Sequence, residues 1–260
     1  MYKMTDLRVS ANDRTILAVD ELSLGENTLT VILGHNGSGK STLMKVLARQ
    51  VIPATGTVTL AGKPLTGYSQ KQLARQVAFL QQHLPDATGL TVRELVALGR
   101  FPWRGIFGQK TVADQRVIDT AMRDTHTDHY ASHIVDQLSG GERQRAWIAM
   151  LLAQQSPMLL LDEPVSALDL AHQYEVMTLL KNLCMKKQRG VAVILHDINL
   201  AVRYADHIIG LKQGQIAFNC QPDQLFSDSR LSQLYGLDLE FIDSPKGFHK
   251  IAVVAESTLE

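Results

Sequence analysis

The sequence predicts an α/β fold, a parallel sheet covered on both faces, with a helical insertion and a small antiparallel annex. Three observations carry it. Leu29-Thr30-Val31-Ile32-Leu33, Met158-Leu159-Leu160-Leu161 and Val191-Ala192-Val193-Ile194-Leu195 are apolar at nearly every position. They lack the alternation of a half-wet strand, so they read as central strands of a parallel sheet. Helical patterns follow these runs, as with Val176, Met177, Leu179, Leu180 and Leu183 after the second, which gives βα alternation. Two other textures interrupt the core. Thr57-Val58-Thr59-Leu60 alternates and ends in a turn at Gly62, the pattern of an antiparallel strand. Ile208 to Leu211 and Gln215 to Phe218 flank Lys212-Gln213-Gly214, a hairpin signal. Residues 88–155 hold no strong strand run and read as mostly helical.

Bulk properties narrow the function. A chain of 260 residues that is 45% hydrophobic can bury a sizeable core. Its 26 basic and 26 acidic residues balance, and no run of Lys and Arg forms a local patch. Nucleic acid is therefore excluded as an expected partner. Cys184 and Cys220 stand far apart without CxxC spacing, which fits a reducing compartment rather than a disulfide scaffold. The residues after Met1 carry no apolar h-region, and no apolar run is long enough to span a bilayer. The expectation is a soluble cytoplasmic protein.

Gly34-His35-Asn36-Gly37-Ser38-Gly39-Lys40-Ser41, followed by Thr42, fits GxxxxGK[ST] between an apolar strand and a helical segment. An ordinary glycine-rich turn would not need that context. Glycines let backbone N–H groups curl around phosphate oxygens, and the helix N-terminus adds partial positive charge. Lys40 is expected to reach the β- and γ-phosphates of ATP, and the Ser41 hydroxyl to ligate Mg²⁺. Met158 to Leu161 run into Asp162-Glu163. Ligands bind at the carboxyl ends of strands in open α/β sheets. Asp162 is thus expected at the Mg²⁺ hydration shell and Glu163 as the general base for the attacking water.

Leu138-Ser139-Gly140-Gly141-Glu142, just before that strand, resembles the signature motif of ATP-binding-cassette ATPases. Ser139 and Glu142 also make a capping box at a helix start, and the two readings are compatible. The resemblance covers about residues 5–235. It implies a P-loop NTPase (RecA-like) core of about 1–87 and 156–240, a helical signature subdomain of about 88–155 and a short extension of about 241–260. It also implies that Ser139, Gly140 and Gly141 face the γ-phosphate held by a second copy, giving a homodimer that sandwiches ATP. Gln82, after Val77-Ala78-Phe79-Leu80, is similar to the family's Q-loop glutamine, which contacts metal and water. Ser166-Ala167-Leu168-Asp169 resembles the D-loop, and His196 the switch histidine. The family stacks adenine on a first-strand aromatic, whereas Leu7 to Asn12 offer none.

Gly89 to Trp103, Gly141 to Met150 and Ala167 to Gln173 closely resemble the ATPases of iron-chelate and cobalamin importers, nearest to those of ferric hydroxamate uptake. That resemblance implies polytopic permease subunits as partners, a substrate-binding protein as an indirect one, and a place on the cytoplasmic face of the inner membrane. Cobalamin or haem import is the alternative cargo, and a pore-free interaction clamp the more distant alternative. Phe101-Pro102-Trp103 suits either core or a docking groove for a partner helix. His126, His129 and His133, near Asp124 and Asp128, read as a solvated polar face rather than a metal site, and Trp147 as core.

Overall fold

The computed structural model describes residues 1–11, 14–104, 109, 111–226, 229–244 and 250–255. They fall into two compact units, Met1–Gly67 with Lys181–Glu260, and Tyr68–Leu180. The first unit begins with two long antiparallel strands, β1 (Tyr2–Ala11) and β2 (Arg14–Leu24). Tyr2, Met4, Leu7 and Val9 are buried. Asp6, at φ +50°, marks a bulge against β4 (Thr55–Leu60), next introduced in the sheet, and Gly56 lies opposite it. A Cβ at Gly56 would stand 2.6 Å from Leu7 Cα, so a side chain has no room there. The mostly apolar β3 (Leu29–Leu33) is buried along its whole length, Thr30 included, and leads through a loop into α1 (Lys40–Leu47). β4 turns through Ala61 (φ +49°) and Gly62 (φ +74°) into the short β5 (Lys63–Pro64).

The second unit holds α2 (Gln70–Gln76), β6 (Val77–Leu80), α3 (Val92–Leu98), α4 (Phe101–Arg104), α5 (Val112–Asp124), α6 (Gly140–Ala153) and β7 (Met158–Asp162). Helices α3, α5 and α6 each open on a complete capping box: Thr91 with Glu94, Thr111 with Asp114, Ser139 with Glu142. Each box satisfies two backbone donors that a helix start leaves without partners. β6 and β7 pair in parallel from Val77 opposite Met158 to Leu80 opposite Leu161. Arg100 ties the helices together. Its Nε donates to Asp114 Oδ1 at 2.8 Å and its Nη1 to Ala153 O at 2.8 Å, with both charged groups buried. Burial alone would raise the Asp114 carboxyl, but hydrogen bonds from Arg100 and Thr111 bring it down to about 2.

Helix α7 (Leu170–Lys187) runs on into the first unit, which β8 (Gly190–Ile194), α8 (Ile198–Tyr204), β9 (His207–Lys212), β10 (Gln215–Cys220), α9 (Arg230–Tyr235), β11 (Leu239–Asp243) and β12 (Lys250–Val254) complete. Within this unit the strand order is β5-β4-β1-β2-β10-β9-β3-β8. β3 is flanked in parallel by β8 and β9, as its continuous apolar run predicts. The β9–β10 hairpin turns on Gln213 (φ +49°) and Gly214 (φ +80°), the doubly positive geometry of a type I′ turn. The antiparallel part is larger than the sequence suggests, because β1 and β2 pair along nearly their full length. In the extension of 241–260, β11 and β12 pair antiparallel, while 245–249 and 256–260 lie outside the described residues. Among the described residues no helix is long and apolar enough to cross a membrane. Cys184 and Cys220 are buried thiols.

Candidate active site

The loop after β3 is shaped by its glycines. Gly34 (φ +149°), Gly37 (φ +78°) and Gly39 (φ +100°) all take left-handed or related backbone conformations. A Cβ at Gly34 would collide with the Leu211 carbonyl and stand 2.8 Å from Ser38 Oγ. Gly39 caps α1 with no side-chain hydrogen bond, so the helix N-terminus offers its N–H groups to a ligand. Lys40 is buried and turned back over the loop, its Nζ donating to Gly34 O at 2.7 Å and His35 O at 2.9 Å. Ser38 Oγ is buried and finds no hydrogen-bond partner among the described residues. A buried donor, an open helix start and a folded-back ammonium together fit a phosphate chain. Ser41 and Thr42 open the first turn of α1. The hairpin turn supports the loop, with Gly214 N donating to Ser38 O at 2.9 Å and Ala18 N donating to Gly214 O at 2.7 Å.

His196 belongs to the same unit. Ile194 of β8 lies opposite Ile32 of β3, so the two strands end side by side and His196 emerges exposed at the end where the loop begins. Asp197 then caps α8, accepting from Asn199 N at 2.7 Å and Leu200 N at 3.0 Å.

In the second unit, the ends of β6 and β7 bring together three of the expected residues. Asp162 closes β7 and is 2% exposed, a buried carboxylate of the kind a cation would balance. Glu163 departs from the strand at φ +53°, a strained conformation for a glutamate. Its carbonyl accepts from Ser166 Oγ at 3.0 Å, which fixes the turn. The Glu163 side chain accepts from Gln82 Nε2 at 2.8 Å across 81 positions of sequence. A glutamate oriented by a glutamine, off the end of a buried strand, can hold and polarise a water.

Ser139 caps α6 as the sequence implies. Its Oγ donates to Glu142 Oε2 at 2.7 Å, and its backbone N–H donates to the same oxygen at 2.8 Å. Sequence reasoning missed Tyr130. A hydrogen bond from its phenol, followed by those of Ser139, holds the Glu142 carboxyl down to about 2. A Cβ at Gly140 would meet nothing within 4 Å, whereas one at Gly141 would meet Leu168 Cδ2 at 3.4 Å. The signature turn thus packs beside the segment leading to Asp169. Asp169 caps the start of α7, accepting from His172 N at 3.0 Å, and this bond, with that from the His172 ring, holds its carboxyl below the usual range.

The remaining expectations divide. Trp147 is buried, as expected. Pro102 is buried, while Phe101 (53%) and Leu98 (50%) are exposed, and the Trp103 ring has the Arg75 and Arg100 guanidiniums over it at 5.0 and 5.5 Å. His126, His129 and His133 are exposed, and no three metal-ligating side chains gather among the described residues. Leu7 to Ala11 present no aromatic ring, and Asn12 lies outside the described residues.

Comparison with known proteins identifies the family. The ABC transporter family model matches residues 17–166. The chain is 41% identical over 224 residues to the ferric enterobactin transport ATP-binding protein FepC of Escherichia coli K12, covering 86% of this chain and 83% of that one. It is 38% identical over 240 residues to the iron(3+)-hydroxamate import ATP-binding protein FhuC of Bacillus subtilis 168, covering 92% and 89%. Among solved structures, the dimeric bacterial ABC transporter cassette MJ0796 superposes with a TM-score of 0.78 at 28% identity, over 85% of this chain and 99% of that one.

Proposed function

Because this chain belongs to the ATP-binding-cassette transporter family, we propose that it is the motor subunit of a ferric siderophore importer, with hydroxamate chelates as its cargo. Hydrolysis of ATP to ADP and phosphate, coupled to transport, is the family's reaction and this chain's. The observation that carries the motor reading is the Gln82–Glu163 hydrogen bond at the strained end of β7. Lys40 and the backbone of Gly34 to Gly39 hold the phosphates, with Ser38, Ser41 and Thr42 lining the helix start. In the first unit Ser41 would ligate Mg²⁺, which supplies charge neutralisation on the phosphates when bound, and in the second the buried Asp162 suits a cation's hydration shell. Glu163 takes the proton from the attacking water, Gln82 orients that carboxylate, and His196 acts at the γ-phosphate end.

The second half of the proposal is the assembly. Ser139, Gly140 and Gly141 open a helix whose N–H groups and dipole suit an anion, and in a head-to-tail pair they would complete the partner's site, with Asp169 beside them. The exposed Leu98, Phe101 and Trp103 suit a helix of a polytopic permease. In this reading the protein works at the cytoplasmic face of the membrane and meets a substrate-binding protein only through the permease. The cargo assignment is supported by the relatives' roles and by residues 89–103 and 141–150, since the motor itself never touches cargo.

The test is a deletion strain grown with a hydroxamate siderophore as sole iron source, alongside a pull-down of the tagged protein from membranes. Poor growth, rescued by the wild-type gene, together with recovery of a polytopic membrane protein, is expected. Normal growth on hydroxamates with a defect on another chelate or on cobalamin would move the cargo elsewhere.

A further inference from the structure

A part of the chain that touches no reacting atom is joined to two parts of the nucleotide site. Tyr235, at the end of α9, lies edge-on to His35 of the phosphate loop, with ring centroids 5.3 Å apart at 68°. Its hydroxyl is buried beside the Gly34 backbone. Gly34 has no room for a Cβ against Leu211 and Ser38, and the tyrosine ring packs on the next residue of the same turn, His35. α9 is itself anchored. Lys212 Nζ, at the end of β9, donates to Gln233 O at 2.5 Å, and Gly236 (φ +68°) ends the helix.

From α9 the connection continues through hydrogen bonds. Leu239 N of β11 donates to Ser232 Oγ at 3.0 Å, and Ala255 N donates to Asp238 O at 2.9 Å. β11 and β12 pair from Leu239 opposite Val254 to Asp243 opposite Lys250. β12 then grips α8 through one side chain. Asn199 Oδ1 accepts from Ala252 N at 2.8 Å, and Asn199 Nδ2 donates to Ala252 O at 3.3 Å. The amide takes both hydrogen bonds a neighbouring strand would make, a pairing that fixes orientation as well as distance. Asn199 lies three residues after His196, on the helix that Asp197 caps. One end of the segment therefore holds the loop that binds phosphate, and the other holds the helix behind the residue that senses it.

We infer that residues 230–244 and 250–255 act as a positioning brace for the nucleotide site, with Tyr235 setting the phosphate loop and Asn199 with Ala252 setting the helix behind His196. This rests on the reading that the loop binds ATP and that His196 acts at the γ-phosphate. The two contacts make separable contributions. The loop contacts nucleotide before and during reaction, so loosening it raises Kd and KM together. His196 acts on the reacting end, so loosening its helix lowers kcat.

The experiment uses the full chain with four substitutions: Tyr235→Ala, Tyr235→Phe, Asn199→Ala and, as reference, Lys40→Ala. Equilibrium binding of a fluorescent ATP analogue, steady-state ATPase and thermal melting are measured on each. Tyr235→Ala is expected to raise Kd and KM by about three- to tenfold, the worth of a ring–ring contact. Tyr235→Phe, which keeps the ring, should stay within about twofold of wild type on the same reasoning. Asn199→Ala should leave Kd unchanged and lower kcat. If Tyr235→Ala does not fold, Tyr235→Leu fills the space without an aromatic edge and carries the same expectation. Wild-type Kd in Tyr235→Ala, with Lys40→Ala weakened, overturns the inference, as does an Asn199→Ala whose melting temperature alone moves. Unchanged affinity in Lys40→Ala would instead overturn the nucleotide reading of the loop.

Discussion

Gln82 Nε2 stands 2.8 Å from Glu163 Oε2, joining the segment after β6 to the strained residue after β7. The pair fixes the orientation of the carboxylate off the end of β7. Glu163 is not at a comfortable backbone angle, and a positive φ in a non-glycine residue costs on the order of 1 kcal/mol. The turn closed by Ser166 holds it there. That arrangement suits a residue whose position matters more than its local comfort.

Glu163→Gln is expected to bind ATP normally and to hydrolyse it about 10²–10⁴-fold more slowly, the usual cost of removing a general base. The amide still reaches Gln82, so the fold stays intact. Phosphate release by the purified variant checks it, and near-normal turnover would remove Glu163 from that role.

Lys40→Ala should weaken ATP binding itself by about tenfold or more, since a charge-assisted contact to phosphate is lost. Its Nζ now bonds the Gly34 and His35 carbonyls of its own loop, so it is held where phosphates would displace them. Titration with a labelled ATP analogue measures the change, and unchanged affinity contradicts the assignment.

The Arg100–Asp114 pair governs stability rather than chemistry. Asp114→Ala would leave a buried guanidinium without its carboxylate, at a cost of about 3 kcal/mol or more. The pH dependence follows from the lowered Asp114 value. A carboxylate held at about 2 in the folded chain, against an ordinary value near 4, stabilises above pH 4 and loses that contribution as pH falls from 4 toward 2. Urea midpoints of wild type and variant should differ by a constant amount above pH 5 and converge in that acid window. A difference independent of pH would assign the loss to packing alone.

Much of the fold was legible because its signals are local. Continuous apolar runs marked β3, β7 and β8, the Gln213-Gly214 pair marked the hairpin, and the Ser139 and Glu142 spacing marked the capping box of α6. The long pairing of β1 with β2 was less visible, because the bulge at Asp6 breaks the alternation that signals a half-buried strand. β11 and β12 lie in a stretch with few buried residues, so the apolar run from Ile251 to Ala255 signals a strand without marking it as part of the core. At the site, the glycine loop and the acids after β7 could be read from residue type and context. The Gln82 role came only through resemblance, since nothing in residues 77–82 states that this amide reaches Glu163. Tyr130 and Tyr235 carry no motif. Their partners, Glu142 and the Gly34–His35 turn, are set by tertiary packing, which a linear pattern does not encode.

The central claim is that two copies complete each other's sites, and the oligomeric state of Glu163→Gln tests it most directly. A Cβ at Gly140 meets nothing within 4 Å, so Gly140→Arg leaves its own helix uncrowded while placing bulk where an opposing phosphate would sit. Ser139→Arg does the same but also removes the cap of α6, at about 1 kcal/mol. Size exclusion with light scattering should find Glu163→Gln dimeric with ATP and Mg²⁺ and largely monomeric with ADP. Either added arginine should leave it monomeric with ATP still bound. A dimer that ignores the nucleotide and both arginines would contradict the shared-site account.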